Sequence, residues 1–86
     1  MTPRDWVDIH YEGLIVLDGL DDAIVGVGTS FGLAPGVVYD IEKILELLQD
    51  QGMGYEEAME YFDYNIAGLG VGTNAPIFLE KAITND

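Results

Sequence analysis

The chain has 86 residues, and its 16 Asp and Glu face only Arg4, Lys43 and Lys81, for a formal net charge of −13. That length makes one domain near the small end of what a single core can hold, and a field this negative repels nucleic acid and anionic membrane while attracting basic protein surfaces or cations. Apolar residues at 49% rule out a disordered acidic tail, and the absence of Cys rules out both a disulfide framework and a thiolate metal site.

Residues 1–13 place Trp6, Val7, Ile9 and Tyr11 at near-alternating positions among Asp5, Asp8, His10 and Glu12, a period-2 signal for a strand. Met1 to Asp5 carries neither the basic stretch nor the apolar run of a secretory signal. Runs such as Leu14–Leu17 are too short to span a bilayer, so a cytoplasmic protein is expected, in a host cell if the chain is phage-encoded. Leu14–Leu17 and Ala23–Val27 are β-prone and flank Asp18-Gly19-Leu20-Asp21-Asp22. Turn residues between apolar runs read as a β-hairpin, with Gly19 free to take positive φ. Residues 28–36 form a loop, and Val37–Tyr39 add a short strand or lead into a helix.

Asp40 then caps a helix over 41–51, in which Ile41, Ile44, Leu45 and Leu48 share one face. Gly52 sits where a left-handed C-terminal cap belongs. A second helix opens at Met53 or Gly54 and runs to Ile66, with Ala58, Met59, Phe62 and Ile66 as its apolar stripe. So short a connection makes an αα-hairpin. After the glycines at 68, 70 and 72, Pro76–Leu79 close the chain as a last strand. The expected architecture is a single α+β domain over 1–86: a small, mostly antiparallel sheet of three to four strands with the αα-hairpin on one face.

Four places invite a functional reading. Asp18, Asp21 and Asp22 cluster in a turn, but without the ligand order of a calcium loop, so no metal site is expected there. Gly26, Gly28 and Thr29, with Gly70, Gly72 and Thr73, form two glycine-rich loops able to line a small-ligand pocket. No helix opens directly after either and no basic residue stands near in sequence, as a phosphate cradle requires. His10 and Ser30 are the sole residues of their kinds, and nothing ties them into a nucleophile–base pair. No catalytic residue and no cofactor is expected. Finally, Glu56, Glu60 and Asp63 stand at i, i+4 and i+7 on the second helix with Glu57 beside them and no Lys or Arg to compensate. Like charges at this spacing are mildly destabilising. They read as a wet surface or as a face that meets a basic partner, and Tyr55, Tyr61 and Tyr64 are amphipathic enough to serve an interface.

Several stretches, namely Gly19–Gly26, Val38-Tyr39-Asp40, Tyr55–Phe62 with Asn65 and Ile66, and Gly72–Pro76, resemble small, functionally uncharacterised acidic proteins of tailed bacteriophages. The resemblance implies a phage or mobile-element origin, and such proteins often act by binding a host protein. The expected function is therefore a non-catalytic protein-binding module, an inhibitor of a host or defence protein that uses Glu56, Glu60, Asp63 and Tyr64 against a basic surface. One alternative is a small-ligand binder with a pocket at an oligomer interface. The other is a small metal-dependent enzyme centred on Asp18, Asp21 and Asp22. Direct contact with nucleic acid or membrane is not expected, and the chain admits a homo-oligomer.

Overall fold

Thr2 and Pro3 decide how the chain begins. In the structure, a computed structural model that describes residues 1–69 and 72–82, Thr2 Oγ1 accepts from Asp5 N at 3.1 Å while Thr2 N donates to the Asp5 carboxylate. This reciprocal capping box, with Pro3 at the first helical position, starts helix α1 (Pro3–His10). The strand expected over residues 1–13 is thus a helix. Of its apolar residues only Val7 is buried, while Trp6 stacks on His10 at the surface, ring centroids 4.6 Å apart.

Residues 14–17 belong to neither a helix nor a strand. Instead of pairing with 23–27, they are held by long-range bonds: Leu17 N donates to the Tyr39 hydroxyl at 2.8 Å and Ile15 N to the Asn74 carbonyl. Gly19 takes φ of +80° as expected. Asp21–Ala23 then form a 3₁₀ turn, with Asp21 tied to Arg4 at 3.0 Å. The antiparallel hairpin forms one element later, between β1 (Ile24–Gly28) and β2 (Gly36–Asp40). Its loop is residues 29–35, bounded by Gly28 and Gly36.

Helix α2 (Ile41–Asp50) lies within one residue of the expected span. The Asp40 carboxylate accepts from Glu42 N at 3.0 Å, and Gly52 adopts φ of +105° beyond the helix end. Ile44 and Leu48 are buried, and Ile41 and Leu45 are partly buried against the same core. Helix α3 (Tyr55–Tyr61) follows at once from its N-cap Gly54 and runs on into a π turn and a 3₁₀ turn. Strand β3 (Ile77–Leu79) comes last, directly after Pro76.

The α+β class holds, with three strands in the order β1-β2-β3. The sheet is mixed rather than mostly antiparallel, because β3 runs parallel to β2, pairing Val38 with Ile77 and Tyr39 with Phe78. Parallel neighbours need a long crossover, and the whole helical segment between β2 and β3 supplies it. Buried residues of every helix join Ile24, Val37 and Tyr39 in one core. Phe62 meets Phe78 edge-on at 5.2 Å, linking the α3 segment to β3. Burial raises the Tyr39 phenol above its ordinary pKa, against the opposing pull of the Leu17 N–H, so it stays neutral at physiological pH. Among the described residues, no helix is long and apolar enough to cross a membrane.

Asp40 carries a testable share of the stability. Besides capping α2, its carboxylate lies 3.0 Å from Lys81 Nζ. Burial disfavours its charge, but the Lys81 hydrogen bond and charge, with the amides of Lys43 and Glu42, outweigh that and hold the carboxyl below its usual pKa. Asp40→Ala should cost about 1–2 kcal/mol at pH 7 in urea melts. A lowered folded-state pKa means this contribution is whole above the unfolded value of about 3.9 and fades as pH falls through the folded one. The gap between wild type and variant should therefore narrow toward pH 2.

Candidate functional site

Two constraints shape α3: a buried stripe on one side, and acids at its N-terminal end, where Glu56 and Glu57 complement the helix dipole. Ala58, Phe62 and Ile66 are the buried residues, each four positions from the last. In an ideal α-helix every four-residue step overshoots a full turn by about 40°, so the third residue would swing off the core. The helix widens into a π turn over Phe62–Ile66, with Ala67 N bonded back to the Phe62 carbonyl. The wider turn sets the rotation back and returns Ile66 to the core. Met59, expected in this stripe, is 42% exposed and lies outside it.

The opposite side holds Glu56, Glu57, Glu60 and Asp63, all exposed. Glu56, Met59, Glu60 and Asp63 together line a shallow depression of about 240 Å³. The structure thus gathers three of the four expected partner-binding residues around an exposed thioether, a soft and adaptable contact. The fourth, Tyr64, is exposed but does not line the depression.

What sets these carboxylates apart is the placement of the cations. Arg4 bonds Asp8 and Asp21, Lys43 bonds Glu46, and Lys81 bonds Asp40, at 3.0–3.2 Å. Those are all the Lys and Arg of the chain, so the α3 face has no internal counter-charge. It is a solvated, uncompensated anionic surface with tyrosines beside it.

The glycine loops meet elsewhere. Gly28, Gly72 and Thr73 line a cleft of about 550 Å³, together with Ser30, Asn74 and Ile77. Gly26 instead lies beside Pro3, Trp6 and Val25, Thr29 is not in the cleft lining, and Gly70 lies outside the described residues. Asn74, at φ of +60°, ties the two loops together by donating from Nδ2 to the Pro35 carbonyl at 2.9 Å. Among the described residues, no charged one lines the cleft. Around Asp18, Asp21 and Asp22 the Arg4 ion pair occupies Asp21, and among the described residues no three His, Asp or Glu side chains converge as a metal site would require.

A third feature escaped the sequence reading. No charged residue lies between Asp22 and Asp40, nor between Asp63 and Glu80. Those two runs supply all three strands except Asp40, the last residue of β2, so nearly all the charge lies on the helices and the segments around them. No protein family, no curated protein and no solved structure matches this chain.

Proposed function

We propose that this chain is a non-catalytic protein-binding module whose α3 face docks on a basic surface of another protein. The observation that carries the reading is the exposed set of Glu56, Glu60 and Asp63 around Met59 in a molecule whose every Lys and Arg is engaged elsewhere. Removing counter-charge from a helix face sacrifices stability, and a basic partner restores what the chain itself lacks. The resemblance to phage proteins suggests a host or defence protein as that partner, with inhibition as the outcome.

The test is kinetic. Affinity capture from host lysate at low and high salt supplies the partner, and association rates are then compared with Glu56→Gln, Glu60→Gln, Asp63→Asn in one chain. Charges at an interface rim act chiefly on the on-rate, so the variant should associate about tenfold more slowly at low salt. The wild-type rate should fall steeply with ionic strength. A control that neutralises Glu42, Glu46 and Asp50 on α2 changes net charge equally and should do less. The α3 variant should itself melt slightly higher, by a few tenths of a kcal/mol. Equal, salt-insensitive rates for wild type and variant would remove this face from the function.

A further inference from the structure

A pocket of about 430 Å³ opens where the segment before β1 meets α2 and the end of α3, a volume within the range of small-molecule sites. Three separate causes place its walls. Residues 15–18 and Leu20 are held by the bonds from Ile15 N to Asn74 and from Leu17 N to Tyr39, not by pairing with a neighbouring strand. Leu48 and Gln51 come from the last turn and the C-cap of α2. The π turn that returns Ile66 to the core brings Asn65 to the same wall as Tyr61, and such turns are frequent at functional sites. Leu17, Leu20, Leu48 and Ile66 are buried and make the floor apolar. Asp18, Gln51, Tyr61 and Asn65 are exposed and supply the polar groups. Among the described residues, none of these four side chains hydrogen-bonds or ion-pairs within the protein. Among the same residues, the glycine cleft has no charged lining side chain and the α3 depression no buried one. This pocket has both.

Charge and shape decide what fits it. Among the described residues Asp18 alone is charged in the lining, while Arg4, Lys43 and Lys81 are paired with other carboxylates. An anion would face Asp18 in a molecule of net charge −13. A bare metal ion would leave the apolar floor unused, and one carboxylate supplies too few ligands to hold it. An ammonium carries three donors and no acceptor. The Asp18 carboxylate and the amide oxygens of Gln51 and Asn65 can accept from it, and the Tyr61 ring suits the same charge. We propose that this pocket binds a small organic amine, with its protonated nitrogen bonded to Asp18 and a compact apolar body over Leu17, Leu20, Leu48 and Ile66. The site shares no lining residue with the α3 depression and stands whether or not that face docks on a partner.

Benzylamine is the probe, followed through the amide shifts of the full chain at about 0.1 M salt, where a Debye length of about 10 Å screens diffuse attraction. The shifts should saturate with a Kd of about 1 mM or tighter and map to the segments 15–20, 48–51 and 61–66 that line the pocket. Benzyl alcohol keeps the ring without the charge and should bind at least about tenfold more weakly. Benzoate and ammonium chloride should not bind at the same concentration. Asp18→Asn suits a turn as well as Asp does and lies outside the core, so the thermal melt should be unchanged while the benzylamine Kd rises about tenfold or more. Glu12→Gln removes the same charge from a residue outside the lining and should leave Kd as it is. Asn65→Asp adds a second carboxylate to the pocket and should tighten binding at least about threefold. Shifts that spread over the acidic surface without saturating overturn the proposal. So does equal binding of benzyl alcohol or benzoate, or an Asp18→Asn Kd equal to that of the wild type.

Discussion

Phe62→Ala should destabilise the fold by about 3–5 kcal/mol, the range for removing a buried aromatic ring. The ring is buried at the start of the π turn that continues α3 and meets Phe78 at 5.2 Å with the planes near perpendicular, while Phe78 in turn lies 6.3 Å from Tyr39. Truncation therefore opens a cavity where α3, β3 and β2 converge, and also forfeits an edge-to-face pair. Tyr39 anchors the segment before β1 through Leu17 N, so the loss should spread to residues 14–20. At about 0.05–0.15 kcal/mol per residue, total stability is of the same order as this loss, and the variant can be largely unfolded at room temperature. Phe62→Leu keeps most of the volume and should cost less than about 1.5 kcal/mol. Urea melts of both variants make the comparison. A Phe62→Ala loss below about half a kcal/mol would mean that the α3 stripe does not pack on the sheet.

Whether an element was legible in the sequence depended on whether its cause was local. Helix α2 was legible because Ile41, Ile44, Leu45 and Leu48 recur at helical spacing behind an Asp cap. β3 was legible from an apolar run behind Pro76. At the N-terminus two local signals conflicted. Thr2-Pro3 with Asp5 is a helix start, but Trp6, Val7, Ile9 and Tyr11 read as near-alternation, and in so short a helix the cap decides. Residues 14–17 have strand composition, yet their partners are a Tyr39 hydroxyl and an Asn74 carbonyl far along the chain. No local pattern announces such bonds. The direction of β3 was equally invisible, since period-2 patterning is the same in parallel and antiparallel pairs.

The acidic face shows the same division. Its spacing at 56, 60 and 63 placed the carboxylates together correctly, because helical geometry is local. Met59 was assigned to the core because its spacing from Phe62 suits an ideal α-helix, whereas the π turn leaves the stripe at 58, 62 and 66. That all three cations lie elsewhere is a tertiary fact. The charge-free runs 23–39 and 64–79 could have been counted from the start. That they join in one sheet could not.

Gly36→Ala should destabilise the protein by about 1–3 kcal/mol, although it adds a single methyl group and Gly36 needs no left-handed backbone. Gly36 is buried two residues before the Val38–Ile77 pair, so it lies alongside Ala75. A Cβ there would collide with the Ala75 carbonyl oxygen and come within 3.4 Å of Ile77 Cδ1. The obstacle is backbone, which cannot rotate away as a side chain can. Relief requires the chain at 74–77 to move off β2, which strains the Asn74–Pro35 bond and loosens β3. Gly26 is the matched control: it is also a strand glycine, outside the left-handed region, with nothing within 4 Å of the added atom. Gly26→Ala should be neutral or stabilising by up to about 1 kcal/mol, because it restricts the unfolded chain. Urea melts give the two stabilities, and amide exchange adds the location, since Gly36→Ala should speed exchange at Ile77–Leu79 before it affects α2. The pair also tests why the glycines are there. If close packing of β3 on β2 requires Gly36, its loss appears in stability alone, with or without added small molecules. Equal, near-zero effects at both positions would mean that β3 does not lie against β2 as described.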